Sequence, residues 1–403
     1  MRRFRFARGG GAGRLFARIV FLAASFSWGW RACGGNHVAA WGAGTTVAPE
    51  RDYNDVGQSI VPSDLTNAVL VAGGWGHSLA LKADGTLEGW GADFDGQIDF
   101  PATNHYLAIA CGYVHSVALR ADGTVVAEGN IEYDQTDVPT NLNNVVAVAC
   151  GFYHTLALKA DGTLVAWGGT GAADYGQGTV PAGVSNVVAI AAGGYHNLVL
   201  ESDGALFAWG DGDSGGTNIP AGLSNVVAIA AGAAHNLALK ADGTVVAWGA
   251  NNFGQTNVPA DLSNVVAIAA GGWHNLALKR DGTVVAWGAG IGSDTNVDFG
   301  QNIVPAGLTN VIQIAAGTIH SLALAGTAPP ILRAALVQAG LGTNGFSVVL
   351  PTRNGRVYQL EFKDALGENA WQALPLQAGT GGETRFTDQP ASSSCRFYRV
   401  LQW

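Results

Sequence analysis

The sequence predicts an all-β protein: a seven-bladed β-propeller closed by pairing N- and C-terminal strands in one blade, followed by a small β-sandwich-like domain. Three observations predict it. A unit of about 39 residues recurs along most of the chain, the signature of a repeat architecture. Each full unit holds an Asp-Gly pair between short apolar runs, a strong hairpin signal. The chain also begins with the back half of a unit, "NHVAAWGAG", and its last unit, "VIQIAAGTIHSLALAG", lacks one.

Composition agrees. Of 403 residues, 48% are hydrophobic and 13% charged, which supports a buried core over disorder. Fifty-eight glycines with abundant Val, Ala and Trp favour short strands and tight turns. The net charge of −9 argues against a nucleic-acid partner, because phosphate binding needs a basic footprint.

Residues 1–32 read as a secretory signal segment. Arginines at 2, 3, 5, 8, 14 and 18 precede an apolar run from Ile19 to Trp30. That run is short of the roughly 20 residues of a membrane span. No membrane span is expected, although surface association is left open. Nor does the sequence fix the cleavage site, or whether Cys33 is lipidated. The expected localisation is secreted, periplasmic or cell surface.

Residues 36–326 carry the propeller. Gly-x-x-His recurs at His77, His115, His154, His196, His235, His274 and His320. Trp-Gly recurs at Trp41, Trp90, Trp167, Trp209, Trp248 and Trp287, with Glu128 in the remaining copy. Within a unit, "VVAIAAG" reads as a strand buried on both faces, "HNLALK" and "TVVAWG" as the arms of a type I′ hairpin, and "QTNVP" as a weak fourth strand. Seven first halves and seven second halves make seven blades, one of them built from both chain ends.

"TAPP", residues 327–330, is a linker. Residues 331–403 have no repeat but read as strands, with an Asn354-Gly355 hairpin, and suggest a small sandwich that acts as a spacer or surface-association module.

The combination of Gly-x-x-His-x-Leu-Ala-Leu, Asp-Gly, Trp-Gly and Gly-Gln resembles the regulator of chromosome condensation repeat family over about residues 36–326. That resemblance implies a seven-bladed propeller. The "WGANNFGQTNVP" style is similar to the secreted bacterial β-lactamase-inhibitor propeller of the same superfamily, and "GRVYQLEF" and "RFYRV" resemble fibronectin-type-III-like modules. The family includes a guanine-nucleotide exchange factor for a small GTPase, an activity that an export signal disfavours here.

The recurring histidines and tryptophans are read as structural. Equivalent positions on separate blades do not converge as the three or four ligands of a zinc site must. Neither metal nor cofactor is expected. "DGDSGG", Asp211 to Gly216, lacks the ligand spacing of a calcium loop. Cys111 and Cys150 fill one small-residue slot of consecutive repeats and are read as buried thiols.

Variation between repeats points elsewhere. The Gly-x-x-His and Trp-Gly…Gly-Gln loops should share one face, and the insertions at 41–57, 167–176 and 287–300 all fall there. Its acids include Glu50, Asp52, Asp55, Asp93, Asp95, Asp211, Asp213 and Asp294, opposed only by Arg51, and its aromatics are Trp75, Tyr113, Phe152, Tyr153, Tyr195 and Trp273. An acidic field with aromatic anchors is the pattern of a protein-binding surface. A secreted, monomeric, non-enzymatic protein-binding scaffold is therefore expected. The alternatives are exchange-factor-like regulation by family analogy, or a propeller hydrolase or lyase using a carboxylate pair such as Asp93 and Asp95.

Overall fold

The computed structural model describes residues 36–45, 56–102, 105–289, 298–326, 338–342, 345–353, 355–363, 371–388 and 397–402. The leader, Cys33, Cys395, the 327–330 linker, Asn354, Glu50, Arg51, Asp52, Asp55 and Asp294 lie outside them.

Strand β1 (His37–Gly42) opens the chain. Blade 1 is β2 (Ala68–Gly73), β3 (His77–Lys82) and β4 (Leu87–Gly91). Blade 2 is β5 (Tyr106–Cys111), β6 (His115–Arg120) and β7 (Val125–Gly129). Blade 3 is β8 (Val145–Cys150), β9 (His154–Lys159) and β10 (Leu164–Gly168). Blade 4 is β11 (Val187–Ala192), β12 (His196–Glu201) and β13 (Leu206–Gly210). Blade 5 is β14 (Val226–Ala231), β15 (His235–Lys240) and β16 (Val245–Gly249). Blade 6 is β17 (Val265–Ala270), β18 (His274–Lys279) and β19 (Val284–Gly288). Blade 7 takes β20 (Val311–Ala316) and β21 (His320–Ala325) from the far end of the propeller segment and β1 as its third strand. The register runs from His37 opposite Ala325 to Gly42 opposite His320. The ring closes through both chain ends, as the orphan half-units require.

Each blade has three strands, so the expected fourth is not formed. "QTNVP" turns instead, because its glutamine is drawn inward. Gln58, Gln135, Gln177, Gln255 and Gln301 are fully or almost fully buried. The side-chain Oε1 of each accepts the backbone N–H two residues before it, as from Tyr133 to Gln135 at 2.9 Å. A segment bent by its own side chain cannot run as an edge strand.

The hairpins also depart from type I′, which needs two left-handed residues. Only the glycine is left-handed, as at Gly85 (φ +84°), whose N–H donates to Lys82 O at 2.9 Å. The aspartate side chain serves the turn in another way. Oδ1 of Asp84, Asp122, Asp161, Asp242 and Asp281 accepts both the N–H and the Oγ1–H of the threonine two residues on.

Beyond the propeller, β22 (Gln338–Gly342), β23 (Gly345–Pro351) and β27 (Glu383–Asp388) form one sheet. Strands β24 (Val357–Lys363), β25 (Gln372–Ala373), β26 (Gln377–Ala378) and β28 (Phe397–Gln402) form another. The two share a core of Phe346, Val348, Leu350, Tyr358, Leu360, Phe362, Phe386 and Tyr398.

This module is docked on the propeller, a contact that a spacer would not make. Gly355 N–H donates to Val188 O and Leu376 N–H to Ala241 O, each at 3.0 Å. Val357 and Leu376 join the cluster of Val227 and Val266. Buried Glu361 bridges Arg399 of its own module at 2.6 Å and Arg280 of the blade 6 hairpin at 3.2 Å. The second residue of each inner strand reports the footprint. Val188, Val227 and Val266 are buried, whereas Leu107 and Val146, equivalents in blades 2 and 3, are 52% and 39% exposed.

Candidate functional site

Beneath the loop face runs a closed polar belt. Each Gly-x-x-His ring reaches the next blade. Nε2 of His77, His115, His154, His196, His235, His274 and His320 lies 2.8–3.1 Å from Ser116, Thr155, Asn197, Asn236, Asn275, Ser321 and Ser78, respectively. At His154, His196 and His235 the acceptor is an amide Oδ1, so Nε2 carries the proton. Ser78, Thr155, Asn197, Asn275 and Ser321 in turn bond the carbonyl of the Gly-Gln turn, and Asn236 bonds that of Gly216. Asn275 Nδ2 donates to Gln255 O at 2.7 Å, and Trp287 Nε1 donates to that same oxygen at 3.1 Å.

These histidines are buried, and burial holds them neutral. It pushes His77, His115 and His274 down to about 3 and His154, His235 and His320 down to about 4, and it lowers His196 as well. Their spacing around a ring leaves each facing one hydroxyl or amide. Among the described residues, no three His, Cys, Asp or Glu side chains gather as a metal site would require.

Glycines let the belt close. A Cβ on Gly112 would lie 2.3 Å from His115 Cε1 and 2.5 Å from Gly151 O of the next blade. The glycine ends of the inner strands surround an axial cavity of about 60 Å³, which Cys111 and Cys150 line as free thiols. Burial pushes Cys111 up to about 12 and raises Cys150 well above its ordinary value, so neither is a ready thiolate.

Above the belt, five of the six aromatics singled out in the sequence meet. Trp75 stacks on Tyr113 with centroids 4.7 Å apart and planes 12° apart. Tyr113 continues to Phe152 at 5.1 Å and Tyr153 at 5.8 Å, and both reach Tyr195, at 5.6 and 6.0 Å. All five are half-buried. This aromatic run crosses blades 1 to 4 and then stops, since blade 5 has Ala233 and Ala234 in the same turn. Trp273 stands apart in blade 6, edge-on to Phe253 at 6.4 Å.

The structure adds two rings that the sequence reading misses. Tyr133 packs on Tyr153 at 4.7 Å and Tyr175 on Tyr195 at 4.9 Å. Both lie on Trp-Gly…Gly-Gln loops, where the acids draw the eye. Asp93, Asp95 and Asp213 are exposed in these loops, and Asp211, half-buried, donates its N–H to Tyr195 O at 2.9 Å. Burial, then neighbouring Tyr195, pushes the Tyr153 hydroxyl up to about 12. The hydroxyl therefore stays protonated, a donor at neutral pH.

Asp93 Oδ1 accepts the Ile98 N–H at 3.3 Å, and Asp95 Oδ1 accepts from Asn130 Nδ2 at 3.3 Å. Burial raises the Asp93 carboxyl above its ordinary value. Asp93 thus holds its own loop, and Asp95 ties that loop to blade 2.

Among known proteins, five segments match the family model of the regulator of chromosome condensation (RCC1) repeat: residues 68–97, 145–177, 187–215, 226–255 and 265–291. No curated protein sequence matches the chain. Solved propellers share its fold. Prp20p from Saccharomyces cerevisiae, characterised for binding to Gsp1p and histones, is 20% identical, with a TM-score of 0.59 over 73% of this chain and 92% of that one. Human WBSCR16 is 21% identical, with a TM-score of 0.56 over 73% of this chain and 100% of that one. The ectodomain of the Arabidopsis thaliana receptor kinase ACR4 is 22% identical, with a TM-score of 0.50 over 62% of this chain and 90% of that one.

Proposed function

We propose that this propeller, five segments of which match the regulator of chromosome condensation repeat, is a non-catalytic scaffold that binds another protein through its loop face over blades 1 to 4. The continuous aromatic run carries this reading. Half-buried rings that pack on one another, stacked, tilted and edge-on, present apolar area at low entropic cost, which suits hot spots. The structural histidines and tryptophans are committed to the belt and leave the face to the variable loops.

The proposal includes export. The basic leader followed by an apolar run supports it, and the ACR4 ectodomain is a precedent for the architecture outside the cytosol. N-terminal sequencing of the mature protein checks it. A chain that starts at Met1 and fractionates with the cytosol would end that part of the reading.

The face assignment is tested by affinity capture from the native exterior fraction. The baits are the wild type, a Trp75→Ala/Tyr113→Ala/Tyr195→Ala variant and a Trp273→Ala variant. The triple variant should lose the partner and Trp273→Ala should keep it. Equal recovery by wild type and triple variant would overturn the assignment.

A further inference from the structure

The outer rim of the loop face carries a pattern that the aromatic run does not explain. In blades 1, 2 and 3 the loop after the third strand sets an apolar side chain beside carboxylates: Asp93-Phe94-Asp95, Ile131-Glu132 and Asp174-Tyr175. Phe94, Ile131 and Tyr175 are 62%, 72% and 48% exposed. The corresponding loop of blade 4 reads Asp211-Gly212-Asp213, and blade 5 has Asn251 and Asn252 before a half-buried Phe253. Among the described residues, carboxylates beside a well-exposed apolar side chain occur in blades 1 to 3, whereas Phe299 beside Asp298 in blade 6 is half-buried.

The three loops are held together. Asn130 Nδ2 of blade 2 donates to Asp95 Oδ1 of blade 1 at 3.3 Å. Thr170 Oγ1 of blade 3 donates to Asp134 Oδ2 of blade 2 at 2.7 Å, and Thr170 N–H reaches Tyr133 O at 3.4 Å. A rim stitched in this way is organised before it meets a ligand.

No basic residue lies in these loops. The bases of the same blades, Lys82, Arg120 and Lys159, sit at the hairpins on the opposite face. A purely apolar partner would strip water from the carboxylates without replacing it. A purely cationic one would leave the three apolar side chains in water. Charge complementarity and apolar burial are met together by one kind of occupant.

The geometry points to a docking rim for a polypeptide segment of alternating cationic and apolar side chains. Its Lys or Arg groups pair with the carboxylates, and its apolar groups cover Phe94, Ile131 and Tyr175. This inference rests on the protein-binding reading of the face and names the partner's chemistry.

The test uses the full chain and three fluorescein-labelled heptapeptides, of alternating Lys-Leu, Lys-Ser and Glu-Leu, read by fluorescence anisotropy. The Lys-Leu peptide should bind at least tenfold more tightly than either control. Asp93→Asn/Asp95→Asn/Glu132→Gln should lower its affinity tenfold or more and flatten its salt dependence. Phe94→Ser/Ile131→Ser should lower affinity similarly and leave the salt slope intact. Both variants should melt with the wild type, because they change exposed side chains only. Absent binding, equal binding of Lys-Leu and Lys-Ser peptides, or variants that bind like wild type would overturn the proposal. So would binding of cellohexaose with the peptides inert, which would make the rim a sugar platform. If the Trp75/Tyr113/Tyr195 variant loses its captured partner while the rim variants keep it, the rim proposal falls and the face reading stands.

Discussion

The belt around the axis and the loop face above it are built from the same repeats and follow opposite rules. The belt repeats in every blade, including the one assembled from both chain ends, and its histidines stay buried and neutral. The loops alter from blade to blade, and Phe94, Ile131 and Tyr175 stand exposed beside carboxylates over blades 1 to 3. Recurrence therefore marks what holds the ring together, and departure from recurrence marks what the ring can be used for. A change in the belt should cost stability at any blade. A change on the rim should cost only binding.

The largest break in that contrast is removal of residues 36–44. Blade 7 would lose its third strand together with the Trp41 Nε1 bond to Gln301 O at 2.9 Å and the Asn36 bond to Ala68 O at 3.1 Å. It would expose the edge of β21 to pairing with other chains. The expected loss is comparable with the whole of a domain's stability, about 5–15 kcal/mol. Light scattering and thermal melts should show aggregation. An unchanged monomer with an unchanged Tm would refute ring closure through the termini.

Acid should act on all seven belt positions at once. Six of the folded histidines have pKa values of about 3 to 4, against 6.5 unperturbed, and burial lowers His196 too. Below pH 6.5 the unfolded chain therefore binds protons that the native chain refuses. Stability is full above about pH 6.5 and falls as pH drops towards the folded values. Each histidine contributes up to about 1.4 kcal/mol per pH unit in that window. The hairpin aspartates, lowered mainly by their threonine hydroxyls, add their loss only below the ordinary carboxylate range. Denaturant midpoints measured from pH 7 to about pH 5 report mainly the histidines, with the raised carboxyls of Asp93 and Glu128 acting in the opposite sense. A flat profile there would mean that the rings are not buried and neutral.

A single belt position offers a finer cut. Asn236 accepts from His196 at 2.9 Å and donates to Gly216 O at 2.7 Å. Asn236→Ala leaves a buried imidazole N–H without its partner and should cost about 2–3 kcal/mol. Asn236→Ser should recover part of that loss, because blades 1, 2 and 7 place Ser78, Ser116 and Ser321 in the same slot. Equal losses for Ala and Ser, measured in urea, would show that packing rather than the hydrogen bond sets the cost.

Much of the belt is legible in the sequence because His, Trp, Asp-Gly and Gly-Gln recur at fixed positions. Its receiving residue is not, since Ser, Thr and Asn alternate there and look like variation although each supplies the same kind of oxygen. The fourth strand misleads for a related reason. "QTNVP" has an extended pattern, but the glutamine turns back on its own loop, a contact that periodicity does not register. On the face, Trp75, Tyr113, Phe152, Tyr153 and Tyr195 stand out as aromatics in a variable slot. Phe94, Ile131 and Tyr175 are single apolar residues among acids and form a pattern only when three blades are set side by side. The docking of the C-terminal module has no period at all. It emerges from the structure, in the Gly355–Val188 and Leu376–Ala241 bonds and in the unequal burial of Val188, Val227 and Val266 against Leu107 and Val146.

Blade 2 supplies the smallest effect and the sharpest comparison, because it is the one full blade that lacks the tryptophan of the Trp-Gly strand. Glu128 stands where tryptophan donates to the Gly-Gln carbonyl in the other blades, pairing opposite Ser116 as Trp90 pairs opposite Ser78. Burial and then Asp99 raise its carboxyl pKa, so its charge is held against the environment. Glu128→Trp should restore apolar area between blades and an indole N–H aimed at Gln97 O, for a gain of about 1–2 kcal/mol. Glu128→Phe restores the area without the donor and should gain less. If Trp gains no more than Phe in denaturant melts, the indole bond is incidental and packing alone explains the repeated tryptophan. If both destabilise, the blade 2 seam has adapted to the carboxylate, and the rule that recurrence marks stability fails at a blade where the repeat itself departs from it.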